Sequence, residues 1–411
     1  MARDFDALVV GAGVGGAVLA ALLVRSRLCQ PERVALLADR LPAPPAAQAD
    51  WDLRVFALSR ASERVLQLAG VWPLLPTARR TSYEAMCVWD AGGTPRDAHS
   101  LRFDAAGLGE PNLGHIVDGA QLHWHACEAA RAAGVIFLQA SLETLRAHDD
   151  AVTLQLDDGR TLRTGLLVGA DGAHSRVRQL AGIETAGHAY DQEALVAHIA
   201  TGQPHERTAW QRFLPGGPLA LLPLGDGRSS MVWSVPRTQV PALRALSPDA
   251  FGEALTRASD AVLGPCRLTS PLTAFALNLQ YALRYIATRT VLIGDAAHVV
   301  HPLAGQGLNL GLLDCATLVE ILREADGMGA CGDLRALRRY ERWRRSENLL
   351  AVAGLDALQS LFSGDQPLLG SLRRAGLRVV AALPPLKDRL ARQALGLAGD
   401  IPAFLRSENP L

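Results

Sequence analysis

The sequence predicts an α/β chain with a strand-rich unit inserted into it, and three observations carry that expectation. Short apolar runs pass directly into glycine-bearing turns and then into helices near Ala7, Leu166 and Thr290, the alternation of a parallel sheet crossed by helices. From Asp191 to about Leu283 helix signals thin out and strand-like pieces replace them. Beyond about residue 366 the pattern becomes helical and basic. The composition suits such a fold: 411 residues allow two or three domains, and 49% apolar with 20% charged is a globular balance. Forty-one basic and 41 acidic residues cancel, which argues against nucleic acid as main partner, since that affinity comes from neutralising phosphates.

The first run, residues 7 to 24 (ALVVGAGVGGAVLAALLV), has near-membrane length but holds four glycines in six residues and lacks a basic segment before it. It therefore reads neither as a spanning helix nor as a signal peptide. It divides instead into a strand (Ala7 to Val10), a G-x-G-x-x-G turn (Gly11, Gly13, Gly16) and a helix from Ala17. This is the Rossmann-like dinucleotide pattern. The first glycine permits the turn, the second admits a pyrophosphate and the third lets helix and strand approach. A second strand, Val34 to Ala38, ends on Asp39, where such a unit places an acid for a ribose hydroxyl; the alternative is a solvated turn residue.

Next come a β-like stretch at Ala151 to Leu156 and an apolar strand running into Asp171-Gly172, with Ser175, Arg176 and Arg178 opening a helix. Near two-thirds of the chain a strand ends at Gly294-Asp295, and after a Pro/Gly-rich loop a long helix begins near Gly307. Strand-like pieces at 194–200, 208–214, 219–222 and 229–235, with an earlier insertion at 82–103, would pair into one sheet roofing the cofactor. On that sheet Phe213, Leu219, Leu221, Leu222, Pro223 and Trp233 are candidates for a substrate pocket or for ordinary core. Six scattered cysteines, with His123 and His125 two apart, offer no metal site. The single lysine, Lys387, follows two prolines and so excludes a Walker-type loop. The stretch from Arg335 to Ala398, which leads into the tail, has 12 basic against five acidic residues. Its apolar face (Leu372, Gly376, Val379, Leu383) reads as packed helix or as an interfacial patch for anionic lipid.

The three turns, in this order and spacing, resemble the flavin-dependent group A aromatic hydroxylases. Asp52 to Ser59 (DLRVFALS), Gln211 to Leu224 (QRFLPGGPLALLPL) and His301 to Asp314 (HPLAGQGLNLGLLD) are similar to the ubiquinone-biosynthesis hydroxylases within that group. The resemblance spans about residues 5 to 400. It departs in having Asp rather than Glu at residue 39 and a longer loop before it. It implies tightly bound, non-covalent FAD, with NADPH or NADH as transient reductant and O2 as co-substrate. It also implies Gly11, Gly13 and Gly16 at the pyrophosphate, Asp39 at the ribose, Arg54 and Gln121 touching FAD, and Asp295 at the ribityl chain. Pro302, Gly305, Gln306, Gly307, Leu308 and Asn309 would surround the flavin, with Asp171 structural or at the cofactor edge and His301 beside the substrate.

The resemblance further implies a discontinuous FAD-binding domain (1–80, 104–185, 284–365), a β-sheet substrate domain (81–103, 186–283) and a C-terminal helical tail (366–411). The expected activity is hydroxylation of a lipophilic, polyprenylated phenol. The expected location is cytoplasmic, peripheral at the inner face of the membrane, in contact with other quinone-biosynthesis proteins. A hydroxylase of another aromatic or polyketide metabolite, and a non-catalytic FAD-fold escort that binds a prenylated partner, are the alternatives.

Overall fold

The computed structural model describes residues 3–46, 48–97, 100–300, 306–325, 332–363, 392, 395–396 and 399–406. Two large sheets organise it, and a third of three strands lies between their segments. The first has five parallel strands in the order Thr290–Leu292, Thr161–Gly169, Phe5–Val10, Val34–Ala38, Ile136–Gln139, with antiparallel additions at Ile286–Ala287, Val152–Leu156 and Leu142–Ala147. Its central strands are apolar throughout because helices cover both faces. Ala7, Leu8 and Val9 are fully buried, as are Leu36 and Leu37 of the neighbouring strand. The Val14–Arg25 helix is rich in alanine, and Ala17 to Leu23 is completely buried against this sheet and its neighbouring helices. Small residues allow that close packing at full density.

The second sheet runs His298–Val299, Thr273–Ala282, Thr185–Thr201, Ser229–Pro236, Gly217–Pro223, Thr208–Leu214, Ala85–Asp90, Leu101–Asp104, with Cys266–Leu268 paired beside Thr185–Thr201. The Ala85–Asp90 strand pairs in parallel with Thr208–Leu214, joining sequence segments far apart. The Thr185–Thr201 strand is longer than its sequence suggests. Its pairing shifts between Ala189 and Glu193, where polar residues interrupt the alternation. Gly187, at φ +146, permits this strand to cross the next, since a Cβ there would meet the carbonyl oxygen of Leu279 at 2.0 Å.

Within this strand-rich region, where helix signals thin out in the sequence, two helices nonetheless stand. Pro248–Ala258 is a helix with Ser247 as N-cap, its side chain accepting from the Ala250 N–H at 3.2 Å, and Pro248 in the first turn. Ser-Pro-Asp is a start signal that outweighs the strand-like surroundings. This helix gives the sheet an outer face. Leu195, Ala197, Ile199, Leu219, Leu221, Met231 and Val235 pack on Phe251 and Leu255, with Trp210 and Trp233 at the margin. Strand alternation then sends Val196, Gln211, Phe213, Ala220, Leu222 and Val232 to the opposite, inner face.

Candidate active site

The carboxyl ends of the first sheet's parallel strands converge, as open α/β sheets arrange their ligand crevices. After Phe5–Val10 the Gly11 N–H donates to the Leu37 carbonyl at 2.8 Å. Gly11 takes φ +111 against Ala170, whose carbonyl oxygen would lie 2.3 Å from a Cβ. At Gly16 a Cβ would meet the Gly11 oxygen at 2.0 Å, so neither position admits a side chain. Gly13 differs: nothing stands within 4 Å of its Cβ position, and as N-cap of the Val14–Arg25 helix it offers no side-chain cap. The helix N-terminus therefore keeps its N–H donors beside open space, a fit for a diphosphate. Asp39 ends the adjacent strand, exposed on the same edge.

Two helices hold this turn from outside. His123 Nε2 lies 2.7 Å from the Ala12 carbonyl, to which Cys127 Sγ also donates at 3.4 Å, and Cys315 Sγ donates to the Gly15 carbonyl at 3.3 Å. His123 thus fixes the glycine turn, a role its sequence spacing to His125 does not suggest. The five described cysteines are buried thiols, and burial pushes Cys127 up to about 11, so it is inert. Among the described residues no group of His, Cys, Asp or Glu could hold a metal ion.

Arg54 and Gln121 are brought together by Asp118. One carboxylate oxygen of Asp118 accepts from the Gln121 N–H at 3.1 Å, capping the Gly119–Ala132 helix; the other accepts from Asp52 N–H at 3.1 Å. The Gly119 N–H donates to the Arg54 carbonyl at 2.9 Å. Arg54 itself is exposed, its guanidinium 5.1 Å from the Phe56 ring centre.

Asp295 occupies the turn between the two large sheets, because Thr290–Leu292 belongs to the first and His298–Val299 to the second. Its side chain is exposed and has no hydrogen-bond partner among the described residues. The turn is held from behind by Asp314 of the Gln306–Glu324 helix. That buried carboxylate accepts from the Gly294 N–H (3.0 Å), Arg344 Nε (2.7 Å) and Asn348 Nδ2 (3.2 Å), and lies 2.6 Å from His298 Nε2. Burial alone would raise its pKa, but the pull of His298 and Arg344 and their hydrogen bonds hold it at about 2. Arg178, also buried, donates to the Ala296 carbonyl at 2.8 Å and the Ala173 carbonyl at 2.7 Å, tying the turn after Gly169 to the turn at Asp295.

Gln306, Gly307 and Leu308 open the helix half-buried beside this turn. His301, Pro302 and Gly305 lie outside the described residues. The side chains of several residues expected at the site are engaged within the protein. The Asp171 carboxylate accepts from Ser175 Oγ and from the N–H groups of Arg176 (2.7 Å) and Val177 (3.0 Å), so it braces the Arg176–Leu180 helix, the structural one of its two expected roles. Asn309 accepts from Ser59 N–H (2.9 Å) and Ser62 Oγ (2.6 Å) and donates to the Ala57 carbonyl (2.9 Å); both ends of its amide are engaged within the protein. Leu219, Leu221 and Trp233 belong to the outer core, and Pro223 shares their strand parity; Trp233 meets Phe251 edge-on at 6.2 Å. Phe213 and Leu222 are on the inner face.

Comparison with known proteins identifies the family. The FAD-binding-domain family model matches residues 124–348. The ubiquinone hydroxylase UbiL of Rhodospirillum rubrum is 36% identical over 394 residues, 95% of this chain and 89% of its own. The chain belongs to the FAD-dependent hydroxylases of ubiquinone biosynthesis. Within that family, the 3-demethoxyubiquinol 3-hydroxylase of Escherichia coli is 34% identical over 397 residues, covering 95% of this chain and 98% of the relative. The crystal structure of Pseudomonas aeruginosa PqsL in complex with 2-aminobenzoylacetate superposes with a TM-score of 0.73 at 26% identity, over 91% of this chain and 99% of that one. The family's fold is that of the flavoprotein monooxygenases, and its members use FAD.

Proposed function

We propose that the chain hydroxylates the ring of a polyprenylated phenol, with FAD resident, NADPH or NADH as reductant and O2 as oxidant. The observation that carries this reading is the junction at Asp295. There the edge proposed to receive the dinucleotide meets an apolar cluster on the inner face of the second sheet, with Val196, Val232, Leu277 and Ala194 in contact through Tyr190 with Val300 and Leu310. Bound FAD supplies the activation of O2 and the delivery of one oxygen atom to the ring. The protein's own part is to orient and to exclude water. Asp295, backed by Asp314, holds the cofactor's chain. The first-turn N–H groups of the Gln306–Glu324 helix favour negative charge nearby, and the inner face shields the ring.

The direct test is turnover. Purified protein should be yellow, release FAD on heating, and oxidise NAD(P)H faster with a prenylated phenol, giving a product heavier by one oxygen. A colourless preparation that does not rebind FAD, or NAD(P)H oxidation yielding only H2O2 with every prenylated phenol, overturns the reading. Complementation of strains each lacking one ubiquinone hydroxylase identifies the ring position.

A peripheral membrane contact through the basic stretch around Arg373, Arg374 and Arg378, which lies outside the described residues, is part of the same reading. Among the described residues no helix is long and apolar enough to cross a membrane. Deleting the whole tail is a poor test, because Leu395, Phe404 and Leu405 are buried against the body of the protein. Replacing the three arginines by glutamine should instead lower co-sedimentation with anionic liposomes and leave folding intact. Unchanged co-sedimentation rejects the contact.

A further inference from the structure

Gln211 belongs to a buried row that crosses the inner face of the second sheet. The cross-strand pairs Val88–Gln211, Gln211–Ala220, Ala220–Val232 and Val232–Val196 define it. The other four residues of these pairs are apolar, and Thr273 continues the row beyond Val196. The neighbouring Arg212 points the opposite way, donating to the Ala258 carbonyl at 3.0 Å on the outer helix, which fixes Gln211 on the inner side. Gln211 is only 7% exposed, and its side-chain amide has no hydrogen-bond partner among the described residues. Yet its amide atoms are not among the fully sealed orphans, as the Ser230 hydroxyl and His198 Nδ1 are. The amide therefore borders the little space that remains on this face.

A buried primary amide without a partner is costly, and native structures rarely keep one without a use. Gln192, the other deeply buried glutamine of the sheet, shows the usual outcome: its Nε2 donates to the Gly216 carbonyl at 2.7 Å. Strand pairing does not require a polar side chain at Gln211, since its backbone is already in the ladder and leucine or methionine would fill the volume. The row leads by way of Val232, Val196 and Tyr190 to Val300 and Leu310, beside the Asp295 turn.

We infer that the Gln211 amide hydrogen-bonds the ring oxygen of the phenolic substrate, as the polar contact of a mostly apolar row. The inference rests on the proposed hydroxylase reading. An amide suits both forms of that oxygen, donating through Nε2 to a phenolate and accepting through Oε1 from a phenol. It sets the orientation of the ring while the apolar row takes its face.

The test compares a short-chain prenylated phenol with the same prenylated benzene lacking the hydroxyl. Both are titrated into holoenzyme through the absorbance change of bound flavin. Wild type should prefer the phenol. Gln211→Leu and Gln211→Met should bind the phenol about 3- to 10-fold more weakly, the effect of one lost hydrogen bond, and bind the hydroxyl-free compound at least as well as wild type. They should also give more H2O2 per NAD(P)H, with FAD content and melting temperature unchanged. Retention of the wild-type preference and coupling in both variants overturns the assignment. So does loss of FAD or of folding in both, which would make the amide structural. Hydroxylated product from wild type is scored separately: product with an unchanged preference in the variants sinks Gln211 alone, whereas a wild type that binds neither compound sinks both readings.

Discussion

Two buried polar groups, Asp314 behind the Asp295 turn and Gln211 on the inner face of the second sheet, are treated in opposite ways. Asp314 has four partners, Asn309 uses both ends of its amide and Asp171 accepts three hydrogen bonds. Gln211 has none. Saturated groups make a scaffold that is rigid before any ligand arrives, and such preorganisation is what a cofactor site requires. A polar group left open on an apolar wall is instead available to whatever binds there. Asp314 is satisfied within the protein; Gln211, on the proposed reading, is satisfied by the substrate.

That contrast is most exposed at Asp314. Asp314→Ala leaves Arg344 charged and buried without its counter-ion, and should cost about 3–5 kcal/mol in urea unfolding, with loss of FAD. Wild-type stability should show the same carboxylate in its pH dependence. Its pKa is about 2 in the folded protein against an ordinary 3.8. The unfolded chain therefore takes up the proton first, and the contribution, intact above about pH 4, is lost as pH falls towards 2. An unfolding curve as stable for Asp314→Ala as for wild type would dissolve the contrast.

A second comparison separates the two faces of the sheet. Leu221→Ala should cost about 2–5 kcal/mol through a cavity under the Pro248–Ala258 helix, leaving substrate affinity in the folded protein unchanged. A stable Leu221→Ala with weakened substrate binding would reverse the assignment of faces. The smallest effect is expected at His123. His123→Ala removes one bond to the Ala12 carbonyl, so FAD should dissociate about 3- to 10-fold more readily, read from flavin fluorescence at constant melting temperature. No change would mean that the glycine turn holds itself.

Much of this was legible in the chain. The strands at Ala7 and Val34, the glycine turn and the helix starting at Gln306 are local features, set by apolar runs, glycine and caps within a few residues. Faces were not legible. Both sides of the second sheet are buried, so Leu221 and Leu222 look alike in sequence, and only the packing of Phe251 and Leu255 tells them apart. Nor could sequence pair Asp314 with Arg344, since their meeting depends on how two helices cross. Asp171 is the intermediate case: an acid followed by Ser175 and a short helix is a local cap, legible beside the cofactor-edge role that the resemblance also implies.

The strand order of the first sheet sets a timetable for synthesis. Phe5–Val10 sits beside Thr161–Gly169, which in turn sits beside Thr290–Leu292. On the ribosome the glycine turn emerges early, waits for Ala170 to arrive behind it, and waits longer still for Asp295. Until then the parallel edge stays open, the kind of non-local pairing that folds slowly and invites misassembly. Because a ligand that binds only the finished fold draws nascent chains towards it, the supply of flavin in the cell becomes a determinant of how much of this protein survives its own translation.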